Sequence, residues 1–179
     1  MSAHGIALGI HVAAGTAGLI LGPVIMFVPK RRGIHTQLGE AYYRVFLVLF
    51  LSAVALAIIN PDVWWLGLVG AGSYGFALMG YLAAKRRRPG WIFPHISGQG
   101  GSYISMTTAL LVVNWDAITG ATGFLAALPW FLPTVIGSPM IAWVSAQVAM
   151  GKRPRAWARD ARPPISAGRP APSCAPSGA

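Results

Sequence analysis

The 179 residues carry a net charge of +10, yet only 10% of them are charged, and 55% are hydrophobic. A soluble domain of this size has about 25% charged residues, so the composition excludes an ordinary soluble protein and points to an integral membrane one. A strongly basic soluble chain would suggest a nucleic-acid partner. Here the fourteen Lys and Arg gather in three clusters, at 30–44, 85–88 and 152–169, between or after apolar runs, which excludes that partner and marks cytoplasmic loops.

The elements follow in chain order as five predicted transmembrane helices, an all-α polytopic fold. The N-terminal segment lacks a positive region and a small-residue cleavage site, so the first apolar run is expected to be retained. Span one covers about 5–28, long enough for a hydrocarbon core ~30 Å thick. A basic loop with Lys30, Arg31, Arg32, His35 and Glu40 leads to span two, about 43–60. Pro61 and Asp62 form a turn, and span three, about 63–84, opens on Trp64 and Trp65, as an interfacial aromatic belt would. Lys85 to Arg88, then Pro89 and Gly90, separate it from span four, about 95–115. Span five, about 128–150, contains Pro129, Pro133 and Pro139 and is expected to be broken or re-entrant. Residues 1–150 thus form the membrane domain. Residues 151–179, rich in Pro, Ala, Ser, Gly and Arg, form a basic tail too poor in apolar residues to build a core, expected to be disordered.

The loop charges give a topology. Every cationic cluster falls on one side if the N-terminus lies outside and the C-terminus is cytoplasmic, and the other side keeps Asp62 and Asp116 with no basic residue. The expected location is the cytoplasmic (inner) membrane. Lys152, Arg153, Arg155 and Arg159 lie just past the last span, where they act as a topology signal and as a binding patch for anionic lipid headgroups.

Span four is the most polar span. At about 100° per residue, His95, Gln99, Ser102, Met106, Ala109 and Val113 form one stripe, with Gly98, Gly101 and Ser105 beside it. Ile96, Tyr103, Ile104, Thr107 and Leu111 point largely the other way. An ordered polar and small-residue stripe is expected to face other helices or a ligand.

The histidines are the remaining chemical candidates. His11 lies above Gly15, Gly18 and Gly22 on one face of span one. That pattern suits either an axial haem ligand over a small-residue groove or close helix packing with the imidazole bonded to a neighbouring helix. His35 and His95 both fall at the cytoplasmic end, with Glu40 near His35, and are candidates for a metal or haem b site there. His11 and His95 begin their spans on opposite sides, more than ~15 Å apart along the membrane normal, and cannot share one iron within a subunit. No Asp or Glu lies within a span to make a carboxylate proton relay, and no nucleophile–base–acid set is evident, so no enzymatic reaction is assigned.

Three local patterns resemble a family when taken together: His11-x-x-x-Gly15 running into Leu21-Gly22-Pro23, His35-x-x-Leu38-Gly39-x-x-Tyr42, and His95-Ile96-Ser97 with Gly100-Gly101-Ser102-Tyr103. Across about 8–115 the chain resembles a family of bacterial multi-span membrane proteins known only as a domain of unknown function. The resemblance implies a small helical membrane protein and no activity. A more distant likeness is to dihaem membrane cytochromes, from which this chain departs in lacking the second histidine of each pair.

The expected function is therefore a small membrane binding or accessory protein, with a polar pocket between spans one and four lined by His11, Gly15, Gly18, Gln99 and Ser102. The alternatives are a redox protein holding haem or a quinone, and a transporter or channel, which would need oligomerisation. The expected partners are the bilayer itself and either a second copy or another membrane protein.

Overall fold

The structure is a computed structural model and describes residues 2–30, 33–120 and 122–152. Among these it contains five α-helices and two short 3-10 turns: α1 (Ala3–Phe27), α2 (Ile34–Ile59), α3 (Trp64–Arg86), α4 (Ile92–Thr119) and α5 (Leu128–Ala149). The 3-10 turns, Pro61–Val63 and Gly123–Ala127, lead into α3 and α5. Arg153, Arg155, Arg159 and the rest of the predicted tail lie outside the described residues. Lys152 is described and exposed, its N–H bonded to the Gln147 carbonyl at 3.1 Å.

Four helices are long and apolar enough to cross a membrane: α1, α2, α3 with its leading turn, and α5 with its leading turn. Between 11% and 17% of each apolar window is buried within the protein, and residues such as Phe27, Ile58 and Val135 stand exposed. Water does not tolerate that much contiguous apolar surface, whereas lipid chains do.

Three boundaries differ from the sequence reading. Helix α2 begins nine residues before the expected Tyr43. The basic loop ends at Gly33, whose φ of 109° starts the helix, and nothing from His35 to Tyr42 breaks it. The expected connection after Trp115 is helical to Thr119, where Gly120 in the left-handed region closes it. Lastly, α5 is one continuous helix, which corrects the expectation of a broken fifth element. Pro129 sits in its first turn, where no intrahelical N–H bond is required. Pro133 and Pro139 both lie inside the helix and each removes one backbone bond, yet the helix continues through them.

Helix α4 is long enough to span, but its polar residues keep it out of the strongly apolar set. It also occupies the middle of the bundle. Toward α3, a Cβ built on Gly98 would approach Gly80 N at 2.5 Å and the Phe76 carbonyl at 2.6 Å, so the two backbones touch. Toward α5, Ile104 fills the space over Gly137, and Ile141 lies over Gly100. Toward α1, the Tyr103 ring covers Gly22, and the Met106 sulfur would sit 2.9 Å from a Cβ on Gly18. Toward α2, the Tyr42 hydroxyl bonds Ser102 at 3.1 Å. The face predicted to point away from the polar stripe is therefore also packed, because helices lie on several sides of α4.

The α2–α3 seam is aromatic. Tyr43 stacks on Tyr81 at 4.0 Å between centroids and shares a hydroxyl–hydroxyl bond of 2.7 Å with Tyr74, which stacks on Phe50 at 4.8 Å. At its end Lys85 donates to Glu40, which Arg44 also approaches at 3.9 Å.

Replacing Gly98 with Ala should cost about 1–3 kcal/mol, the range for overpacking a filled interior. Gly72, with nothing within 4 Å of its missing Cβ, should tolerate Ala with no loss. Thermal unfolding of both variants in detergent measures the contrast.

Candidate functional site

The predicted site residues separate into three places. His11, in the amino-terminal half of α1, bonds Ser52 of α2 through Nδ1 at 3.1 Å. The Ser52 hydroxyl gives its hydrogen to the Leu49 carbonyl at 2.9 Å, so the His11 ring is the donor to Ser52. The glycine groove beneath it is filled. Leu49 contacts Gly15, Met106 and Val45 cover Gly18, and Tyr103 covers Gly22. That leaves no slot for a flat macrocycle against this face of α1, and the groove serves close packing.

Gln99 and Ser102 form the second place, which does not include His11. The Gln99 amide donates to the Ala77 carbonyl of α3 at 3.3 Å. Ser102 is fully buried; it donates to the Gln99 carbonyl at 2.8 Å and meets the Tyr42 hydroxyl. Because the Ser102 hydrogen goes to Gln99, Tyr42 donates to Ser102. The pocket expected between spans one and four is thus occupied by side chains: α1 and α4 meet through Tyr103 and Met106, with the Tyr103 hydroxyl donating to the Leu19 carbonyl at 3.3 Å.

The third place unites the two histidines of the basic end. His35 lies in the first turn of α2 and His95 in the first turn of α4, and their rings meet edge to face with centroids 6.5 Å apart. The chain reversal from α3 to α4 fixes His95. Arg87 caps α3 in the left-handed region, Gly90 turns at φ 76°, and the His95 N–H then bonds the Trp91 carbonyl at 3.1 Å. His95 Nδ1 lies 2.9 Å from the Gly80 carbonyl. A carbonyl only accepts, so Nδ1 carries the hydrogen, and in the neutral ring Nε2 carries the lone pair.

His35 Nδ1 is buried with no hydrogen-bond partner among the described residues. His95 is oriented by a backbone carbonyl and keeps one unprotonated nitrogen, and His35 beside it keeps one nitrogen unpartnered. Such an arrangement accepts a metal centre or a hydrogen-bond donor.

Lys30 completes the cluster. Its Nζ donates to the Ile25 and Met26 carbonyls at 2.7 and 2.8 Å, closing the carboxyl end of α1 with a cation. Burial pushes its ammonium below the usual lysine range. Its positive charge lies near enough to bear on both His35 and His95. Glu40, proposed as a fellow ligand of His35, is instead paired with Lys85 and Arg44. No group of three or more His, Cys, Asp or Glu gathers around one point among the described residues.

Sequence reasoning missed Ser52, Gly80 and the role of Tyr42. Tyr42 stands seven residues after His35, two turns along the same face, and Ser52 is a single hydroxyl within an apolar run. Both signals are present, but neither identifies the partner. Comparisons with protein-family models, with curated proteins and with solved structures find no match.

Tyr42→Phe removes one buried hydrogen bond and should cost about 0.5–1 kcal/mol. In a double-mutant cycle with Ser102→Ala, unfolding in detergent should show coupling of that same size, since Ser102 loses Tyr42 but keeps Gln99.

Proposed function

We propose that this is a five-span integral protein of the cytoplasmic membrane that binds a ligand at its cytoplasmic end, between His35 and His95. The amino end lies outside and the carboxyl end is cytoplasmic. The clustering of cations supports this orientation, since Lys30 and Lys85–Arg88 fall at one end of the bundle, joined there by the Glu40–Lys85 pair, while Asp62, in the turn before α3, and Asp116, near the end of α4, lie at the other. The polarity of α4 is no obstacle to crossing, because its polar side chains find partners in neighbouring helices rather than lipid.

The observation that carries the binding reading is the buried, unpartnered His35 Nδ1 beside His95. A polar nitrogen withdrawn from water without a partner costs free energy, and a ligand that fills it recovers that cost. Two imidazoles held side by side by separate helices favour a second, more specific reading, a haem b held at this end for electron transfer. His35 and His95 would be the residues to hold such a group, and it would supply one-electron chemistry there. Lys30 would then suit the carboxylates that a haem carries.

Two measurements test these readings. In sealed cells, a membrane-impermeant maleimide should label Ser2→Cys and leave the native Cys174 unlabelled; labelling of both in intact cells would overturn the five-span orientation. Haemin added to the purified protein should give a sharp Soret band that His35→Ala or His95→Ala abolishes and His11→Ala preserves. An unaltered haemin spectrum would remove the haem reading, and a quinol analogue giving no His35-dependent thermal stabilisation would then remove the binding reading as well.

A further inference from the structure

We propose that the groove where α3 turns into α4 binds the phosphate headgroup of an anionic glycerophospholipid. The groove has a volume of about 420 Å³ and is lined by Met79, Leu82, Ala83, Arg86, Arg88 and Trp91, among others. That volume lies in the range of about 300–1,000 Å³ typical of small-ligand sites. Its floor is the apolar last turns of a helix suited to crossing a membrane, and its rim is cationic. The shape is that of an amphiphile with a negative head.

The arginines of this rim differ in their duties. Arg87 is structural: it caps α3 in the left-handed conformation, sends Nε to the Ala84 carbonyl at 3.4 Å and lies 5.4 Å over the Trp91 ring. That contact holds Trp91 as a wall of the groove. Arg86 and Arg88 line the groove on either side and pair with no carboxylate among the described residues. The one acid at this end among the described residues, Glu40, is taken by Lys85 and Arg44. Two unneutralised guanidiniums over an apolar floor match a phosphodiester, which accepts their paired N–H bonds while its chain lies along Met79 and Leu82. A soluble anion would leave that floor bare. Trp91 belongs at the membrane–water boundary, the level at which a headgroup sits.

This site is separate from the basic tail beyond Lys152; its wall, Trp91, packs on the His95 ring at 5.7 Å between centroids, but the groove and its arginines lie outside the His35–His95 pair. The test uses the full chain in nonionic detergent, with brominated phosphatidylglycerol or brominated phosphatidylcholine as quencher. The Trp91 signal is the fluorescence lost in Trp91→Phe. Phosphatidylglycerol should quench it at a concentration at least ten-fold lower than phosphatidylcholine does. Arg86→Gln and Arg88→Gln should each weaken that preference about five-fold, while Lys152→Gln leaves it in place. Ala83→Phe, which fills the floor and keeps every charge, should also weaken quenching, so the proposal remains testable if the arginine variants misfold. Equal quenching by the two lipids, a preference that survives loss of both arginines, or displacement by millimolar inorganic phosphate as effective as by short-chain phosphatidylglycerol would overturn it.

Discussion

The absence of two side chains, at Gly80 and Gly98, sets the geometry on which the rest of the bundle depends. With no Cβ on either residue the α3 and α4 backbones come into direct contact. At that separation the Gly80 carbonyl comes within reach of His95 Nδ1, and the Gln99 amide reaches Ala77 one turn away. In lipid there is no water-driven force between helices, so close backbone approach and interhelical hydrogen bonds supply the attraction. A single methyl group at Gly98 would both force the helices apart and move His95 relative to His35.

The same constraint explains why the most polar helix is the most enclosed. A hydroxyl or amide facing hydrocarbon would be unsatisfied, and α4 carries His95, Gln99, Ser102 and Tyr103 within nine residues. Surrounding it with α1, α2, α3 and α5 gives each of these a partner: Gly80, Ala77, Tyr42 and Leu19. In the outer helices, His11 pairs with Ser52 across the α1–α2 contact and Tyr43 with Tyr74 across the α2–α3 seam, while Thr16 and Ser73 bond carbonyls of their own helices.

Much of this was legible in the sequence because bilayer thickness and the alternation of charged ends leave little freedom. Five helices, their order and the burial of Ser102 and Met106 follow from hydropathy and a 3.6-residue period, whereas Ala109 and Val113 of the same stripe stand exposed. The partners were less legible. Small residues on His11's face read equally as a cofactor groove or as packing, and only the side chains of Leu49, Met106 and Tyr103, from other helices, decide between them. Glu40 looked like a ligand for His35 because the two are close in sequence. A residue five positions on points away on a helix, however, and Glu40 faces Lys85 across the seam. Proline counting misjudged α5 because a proline inside a membrane helix removes one bond without ending the helix: Pro133 and Pro139 both lie within a continuous α5.

Charge decides what the His35–His95 pair can accept. Lys30 lies beside both rings, Lys85 to Arg88 lie at the same end, and Glu40 is already neutralised. A bare divalent cation entering between the rings would meet that field with only two neutral ligands to hold it, and carboxylates that would offset its charge are missing among the described residues. A ligand bringing its own negative charge meets no such barrier: its donor or metal centre satisfies the imidazoles while its anionic groups face the lysine. On the proposed reading, the cations that would orient the chain in the membrane would also select, at that end, for ligands that are amphipathic and acidic.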